Sequence, residues 1–314
     1  MKTIDCVVVG ETCIDLLVRP IPREVPLASS HTLLVEPILP GTGGIVPNAG
    51  LAMAKLGLAV SAVAVVGSDE WGRVIRGRLT EANIDCRGLV AHPTAPSSVT
   101  AVLASADGEH SFAFAPGASA LIDKQICLDR LELFAQARFA LFGYYHLLPN
   151  LQADLPEVLA AVRRLGCGTA LDAANGGGTL QPLDQMLPHL DLYVPSLAEA
   201  RQQTGESDPA RMIACYRRHG CTGIVGVKLG SAGALLSPAP GELAPIAPVS
   251  PPGPVVDTTG AGDCFYAGLI AGLARGLSPV AAARLGAAAG ACSVTGVGAA
   301  AVRDFAATRG LAEC

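Results

Sequence analysis

The chain has 314 residues and a mass of 31.8 kDa; 50% are hydrophobic and 16% charged, which provides for a large core and excludes a long disordered or polyelectrolyte protein. With 22 Lys+Arg against 27 Asp+Glu the net charge is −5, so there is no basic footprint for nucleic acid, and aromatics at 4% are too few to build stacking platforms. The mean hydropathy of +0.43 is high, yet no apolar run reaches the roughly 18 residues of a membrane span.

Residues 4–9 form a β-branched-rich run suited to a buried parallel strand, and the start of the chain reads as this strand and not as a signal peptide. Residues 14–18 and 32–37 are shorter extended candidates, separated by a Pro-rich stretch. Gly41-Thr42-Gly43-Gly44 reads as a flexible loop leading into an Ala-rich helix over 48–56. A buried strand over 60–66 and a helix over 70–82 continue a βαβ rhythm. The texture then changes: 98–104 and 110–115 flank Ala106-Asp107-Gly108-Glu109, a strong hairpin signal. Segments 18–36 and 97–115 are expected to form a small antiparallel sheet standing off the main body.

The βα rhythm resumes with a strand over 139–143, a helix over 152–165, and strands over 169–172 and 192–194. Helices over 197–204 and 209–219, a strand over 224–228 and a hairpin near 238–242 follow. Two Ala/Gly-rich helices, 262–275 and 279–293, complete the pattern. The expected fold is one doubly wound α/β domain over 1–314 with lid segments at about 13–40 and 97–116. The ten cysteines are scattered without a CxxC pair, and they read as small core residues in a reduced cytosol.

Asp257-Thr258-Thr259-Gly260-Ala261-Gly262-Asp263 carries the chemistry. Small residues at a helix start let backbone N–H groups face an anion such as phosphate. A carboxylate beside that site would repel a resting phosphate, so its expected task is to take a proton from a hydroxyl attacking phosphorus. The bland alternative is that Asp263 only caps the helix. A dinucleotide loop fails at Val46, and no G-x-x-x-x-G-K-[ST] P-loop occurs.

The heptapeptide resembles the C-terminal signature of the ribokinase-like (PfkB) carbohydrate kinase family. The likeness extends along nearly the whole chain: Val9-Gly10-Glu11-Thr12-Cys13-Ile14-Asp15 is similar to the first strand with its sugar-binding Asp, and Gly43-Gly44-Ile45-Val46-Pro47-Asn48-Ala49 to the N-terminal Gly-Gly signature. Asp107-Gly108-Glu109-His110-Ser111-Phe112 resembles a lid hairpin, Val227-Lys228-Leu229-Gly230-Ser231-Ala232-Gly233 the nucleotide-contacting strand and loop, and Ser293-Val294-Thr295-Gly296-Val297-Gly298-Ala299 the C-terminal loop.

The resemblance implies ATP-dependent phosphorylation of a sugar or nucleoside hydroxyl in the cytoplasm. It implies Asp263 as general base, with Gly260, Ala261 and Gly262 forming an anion hole. Asp15, Gly43, Gly44 and Asn48 would hold acceptor hydroxyls, joined by His110, Tyr144 and His146 at the lid and pocket edge. Lys228, Gly230, Ser231, Gly233 and Ala287 would line the ATP site. Mg²⁺ would be held by Glu199 through water; the usual Asn of that motif is Ser196 here. Asp257, Thr259, Ser293, Gly296 and Gly298 match a monovalent cation site, expected to take K⁺. Arg19, Arg23 and Arg138 read more readily as a solvated face than as sugar-phosphate contacts. A small neutral sugar is the expected acceptor. The alternatives are a nucleoside, in a pocket lined by Phe112, Phe114 and Tyr144, and a non-catalytic sugar or nucleotide sensor. Edge-to-edge pairing of lids would give a homodimer; neither nucleic acid nor membrane is an expected partner.

Overall fold

β1 (Ile4–Gly10) is buried along most of its length, as the continuous apolar run requires. Its side chains alternate between two cores: Cys6 and Val8 pack in one hydrophobic cluster, Val7 and Val9 in another. The helices therefore cover both faces of one sheet. The computed structural model describes residues 2–22, 32–105, 110–174, 179–296 and 301–313.

The strands after β1 are β2 (Cys13–Val18), β3 (Pro40–Gly43), β4 (Val60–Gly67), β5 (Asp85–His92), β6 (Ser98–Ala104), β7 (His110–Ala115), β8 (Ala137–Gly143), β9 (Gly168–Asp172), β10 (Leu192–Tyr193), β11 (Ile224–Lys228), β12 (Ala234–Ser237) and β13 (Ala244–Ile246). The large sheet runs β13-β12-β11-β10-β9-β8-β1-β4-β5. Every pairing from β5 to β11 is parallel; β12 and β13 close one edge antiparallel. From β1 the chain winds outward to β4 and β5, then returns to β8 on the other side. The strand order thus reverses between β1 and β8, and ligands of open α/β sheets bind at the C-terminal ends of strands at such a point.

At that point Gly10 pairs with Gly143. A Cβ on Gly10 would overlap the Gly143 carbonyl, and one on Gly143 would lie 2.7 Å from Cβ of Ile45. The two bare positions seat the first turn of the Ile45–Lys55 helix directly over the strand ends. The Ala261–Ala274 and Pro279–Ser293 helices pack closely through small residues: a Cβ on Gly268 would sit 2.6 Å from the Leu285 carbonyl, and one on Gly286 2.7 Å from that of Phe265.

A second sheet has the order β3-β2-β6-β7. β3 and β7 join it antiparallel, whereas the central β2–β6 pair is parallel. The expected hairpin is seen in its flanks, with Ala104 opposite His110; the turn at Asp107, Gly108 and Glu109 lies outside the described residues, as do Arg23 and Gly298.

Three local expectations are corrected. Residues 32–37 form no strand, and the partner of β2 comes from Pro40–Gly43, expected to be a flexible loop. The glycines serve pairing here because the Asp15 side chain covers the place a Cβ on Gly43 would take, and Pro40 is tolerated at the start of an edge strand. β5 was not anticipated: its polar composition reflects a sheet edge. The helix expected over 152–165 is divided into Pro149–Gln152 and Leu155–Arg164. Of the nine cysteines described, all are free and only Cys86 is not fully buried. Among the described residues no helix is long and apolar enough to cross a membrane.

Candidate active site

The loop before the Ala261–Ala274 helix is fixed at both ends. Val256 and Asp257 donate backbone N–H bonds to the Val294 carbonyl, at 2.7 and 3.3 Å, which ties it to the end of the Pro279–Ser293 helix. Thr259 N–H bonds the Asp257 carboxylate at 2.8 Å. Gly260 then takes φ +78°, a conformation that favours glycine, and turns the chain into the helix. The first-turn amides of a helix have no partner within it. Of the three expected anion-hole residues, Ala261 directs its N–H back to the Thr258 carbonyl at 3.3 Å.

Asp263 lies in that first turn and is 2% exposed. Asn48 Nδ2 donates to its Oδ2 at 2.9 Å, and the Tyr144 hydroxyl donates to the same oxygen at 2.7 Å. Tyr144 reaches it from a left-handed backbone (φ +60°) just after β8, a conformation uncommon for a bulky residue. Burial and the nearby Asp172 carboxylate push the Asp263 carboxyl up to about 7, against the two hydrogen bonds and the Lys228 charge.

Lys228, at the end of β11, is placed by several elements. Its N–H bonds the Pro195 carbonyl at 2.8 Å; its Nζ lies 3.6 Å from Asp172 Oδ2 and 4.8 Å from the centre of the Tyr266 ring. Tyr266 is itself anchored, donating to the Leu171 carbonyl at 2.6 Å and accepting from Val194 N–H at 2.7 Å. A Cβ on Gly262 would stand 3.0 Å from Lys228 Nζ, so the ammonium borders the turn where a phosphate would lie. Gly230 and Ser231 are exposed in a short 3-10 turn after Lys228, Gly233 follows half-buried, and Ala287 is partly buried on the Pro279–Ser293 helix.

Ser196 and Glu199 form a capping box: Ser196 N–H bonds Glu199 Oε2 at 2.7 Å, and Glu199 N–H bonds Ser196 Oγ at 3.3 Å. The serine is thereby accounted for by the helix start. Burial and Asp172 raise the Glu199 carboxyl, while Lys228 lowers it.

On the opposite side, burial raises the Asp15 carboxyl, which fills the space over Gly43. His110 Nε2 stands 3.7 Å from Asp257 Oδ1, linking β7 to the loop before the Ala261–Ala274 helix. The His146 ring lies 4.0 Å from that of Tyr145, tilted by 39°, and its Nδ1 is 3.3 Å from Gln152 Nε2. Asp257 is tied to Val294 by its backbone N–H, Thr259 N–H bonds Asp257, and Gly296 N–H bonds the Ser293 carbonyl at 3.3 Å. Among the described residues no cluster of three or more His, Cys, Asp or Glu side chains could hold a metal ion, so a cation there would rely on carbonyls.

Two acidic residues escaped the sequence reading. Asp172 ends β9, and Glu11 follows β1 at 2% exposure. Their signal was present: a carboxylate at the C-terminal end of an apolar strand is a ligand-site position.

Residues 3–304 match the pfkB family carbohydrate kinase model. The chain belongs to that family. Its relatives include aminoimidazole riboside kinase of Salmonella typhimurium, 31% identical over 74% of each chain, and ribokinase of Bacillus subtilis, 28% identical over 93% of each. Among solved structures, Arabidopsis thaliana ribokinase complexed with ribose and ATP superposes with TM-score 0.83 over 99% of both chains at 23% identity. A putative ribokinase II from E. coli in complex with ATP and Mg²⁺ gives 0.81 over 98% of this chain and 99% of that one, at 21% identity. The fold is ribokinase-like, and this PfkB kinase is a phosphotransferase acting on a hydroxyl acceptor.

Proposed function

We propose that this PfkB kinase transfers the γ-phosphoryl group of ATP to one hydroxyl of a small neutral sugar, with Asp263 as general base. The observation that carries this reading is the Asp263 environment: a buried carboxyl held near neutrality, oriented by two donors, in the first turn of a helix whose N-terminus suits an anion. A base of that pKa can accept a hydroxyl proton as the oxygen attacks phosphorus.

Asp15 and the Gly43–Gly44 turn would bind neighbouring hydroxyls, a carboxylate accepting what a sugar donates. Asn48 and Tyr144 orient Asp263. Gly260, Ala261 and Gly262 would face the transferred group, with the Lys228 ammonium offsetting its charge. The second sheet would act as a lid that excludes water, and its His110–Asp257 contact supports that role.

The acidic pair Asp172 and Glu199, beside the one ammonium of Lys228, suits a cation carried in with ATP. Bound there, Mg²⁺ would neutralise phosphate charge. Thr259, Ser293 and Gly296 would offer oxygens to K⁺ behind the turn.

The nucleoside alternative draws support from the 31% relation to a riboside kinase. ADP release measured with ATP and Mg²⁺ over a panel of sugars and nucleosides separates the two. Turnover with a neutral sugar is expected; turnover with nucleosides alone would replace this reading.

A further inference from the structure

Glu11 is used by no step above, yet it sits where three parts of the site meet. Its side chain lies against Gly44, where a Cβ would overlap Oε2 and stand 2.6 Å from the Glu11 carbonyl. That carbonyl accepts the Val46 N–H at 3.2 Å. One residue thus packs against the start of the Ile45–Lys55 helix with both its carboxyl and its backbone, and the helix has no side-chain cap of its own on Gly44. The next turn of that helix carries Asn48, whose amide orients Asp263; the residue before Gly44 is Gly43, covered by Asp15. Oε1 is buried without a hydrogen-bond partner among the described residues.

We propose that Glu11 is a positioning residue for the acceptor: its buried carboxyl holds the Gly43–Gly44 turn, and through it Asp15 and Asn48, in the geometry that binds the hydroxyls. This rests on the acceptor site described under the proposed function.

The groups facing Glu11 are Cys13 and Asp15 from β2, Tyr144 from the end of β8 and Asp263 from the Ala261–Ala274 helix. None of them is a cation. Burial first, and then Asp15, push the Glu11 carboxyl up to about 8. It works as a neutral acid, and ionising it places a third carboxylate among two others. Because the folded value is raised from 4.5 to about 8, the stabilising effect of the neutral acid is fully present below about 4.5, falls as pH rises between the two values and is gone above about 8.

The test compares wild type with Glu11→Gln and Glu11→Ala, using fructose, ribose and adenosine as acceptors. At pH 7, Glu11→Gln should keep the acceptor KM within about threefold, and Glu11→Ala should raise it about tenfold or more while the ATP KM stays within about threefold. Above pH 8 the wild-type acceptor KM should climb and that of Glu11→Gln should not. Thermal unfolding from pH 4 to 9.5 gives a readout independent of turnover: wild type should lose Tm relative to Glu11→Gln progressively from about pH 4.5 to about pH 8, and the two should run parallel above it. Parallel melting of the two between about pH 4.5 and 8, an unchanged KM in Glu11→Ala, or a shared alkaline rise in KM overturns the proposal. Turnover of none of the three acceptors counts against the kinase reading instead, and melting then decides the role of Glu11.

Discussion

Two donors on one oxygen of Asp263 stabilise its ionised form while burial opposes it, and the balance near 7 sets the pH response. A general base acts when deprotonated, so kcat should rise with pH through about 7. Tyr144→Phe removes one donor to the carboxylate and should move that acid limb upward by roughly one pH unit, read from a pH–rate profile. An unmoved limb would show that the hydroxyl has no part in tuning the base. Asp263 stood out in the sequence because a carboxylate follows Gly-Ala-Gly at a helix start, and the fold buries it where Asn48 and Tyr144 donate to it. Glu11 and Asp172 were harder: each is a single acidic residue at a strand end, and only the folded chain shows what it meets.

The Ile45–Lys55 helix and the Ala261–Ala274 helix bring Asn48 to Asp263 across 215 positions of sequence. Their placement depends on close packing over bare strand ends. Gly143→Ala inserts a methyl against Ile45, and overpacking of this kind should cost about 1–3 kcal/mol. Urea unfolding measures it; a midpoint equal to wild type would mean the helix shifts freely. Element by element, the helices over 197–204 and 279–293 were readable to the residue, because caps and proline mark their starts. β3 and β5 were not. Both are edge strands, one built from Pro and Gly and the other from polar residues, so neither shows the periodicity that marks a strand between neighbours.

At the scale of the molecule, the reversal of strand order between β1 and β8 fixes where chemistry can occur, and the second sheet starts from the same end of β1. That sheet leaves Phe112 51% exposed on its edge strand β7, and Leu39, next to its other edge strand β3, is 76% exposed. Exposed apolar groups at free edges suit pairing with a second copy. Phe112→Asp should lower the dimer fraction seen by size-exclusion chromatography with light scattering. A wild-type monomer at micromolar concentration would contradict that pairing.

The proposed proton acceptor is Asp263, in the first turn of a helix whose N-terminus suits an anion. The most direct measurement is the phosphoryl-transfer rate of Asp263→Asn in a single turnover, with ATP and acceptor both saturating and ATP affinity determined alongside. The expected result is a fall of about 10²–10⁴ in rate with ATP binding nearly intact. A rate within about threefold of wild type would contradict it.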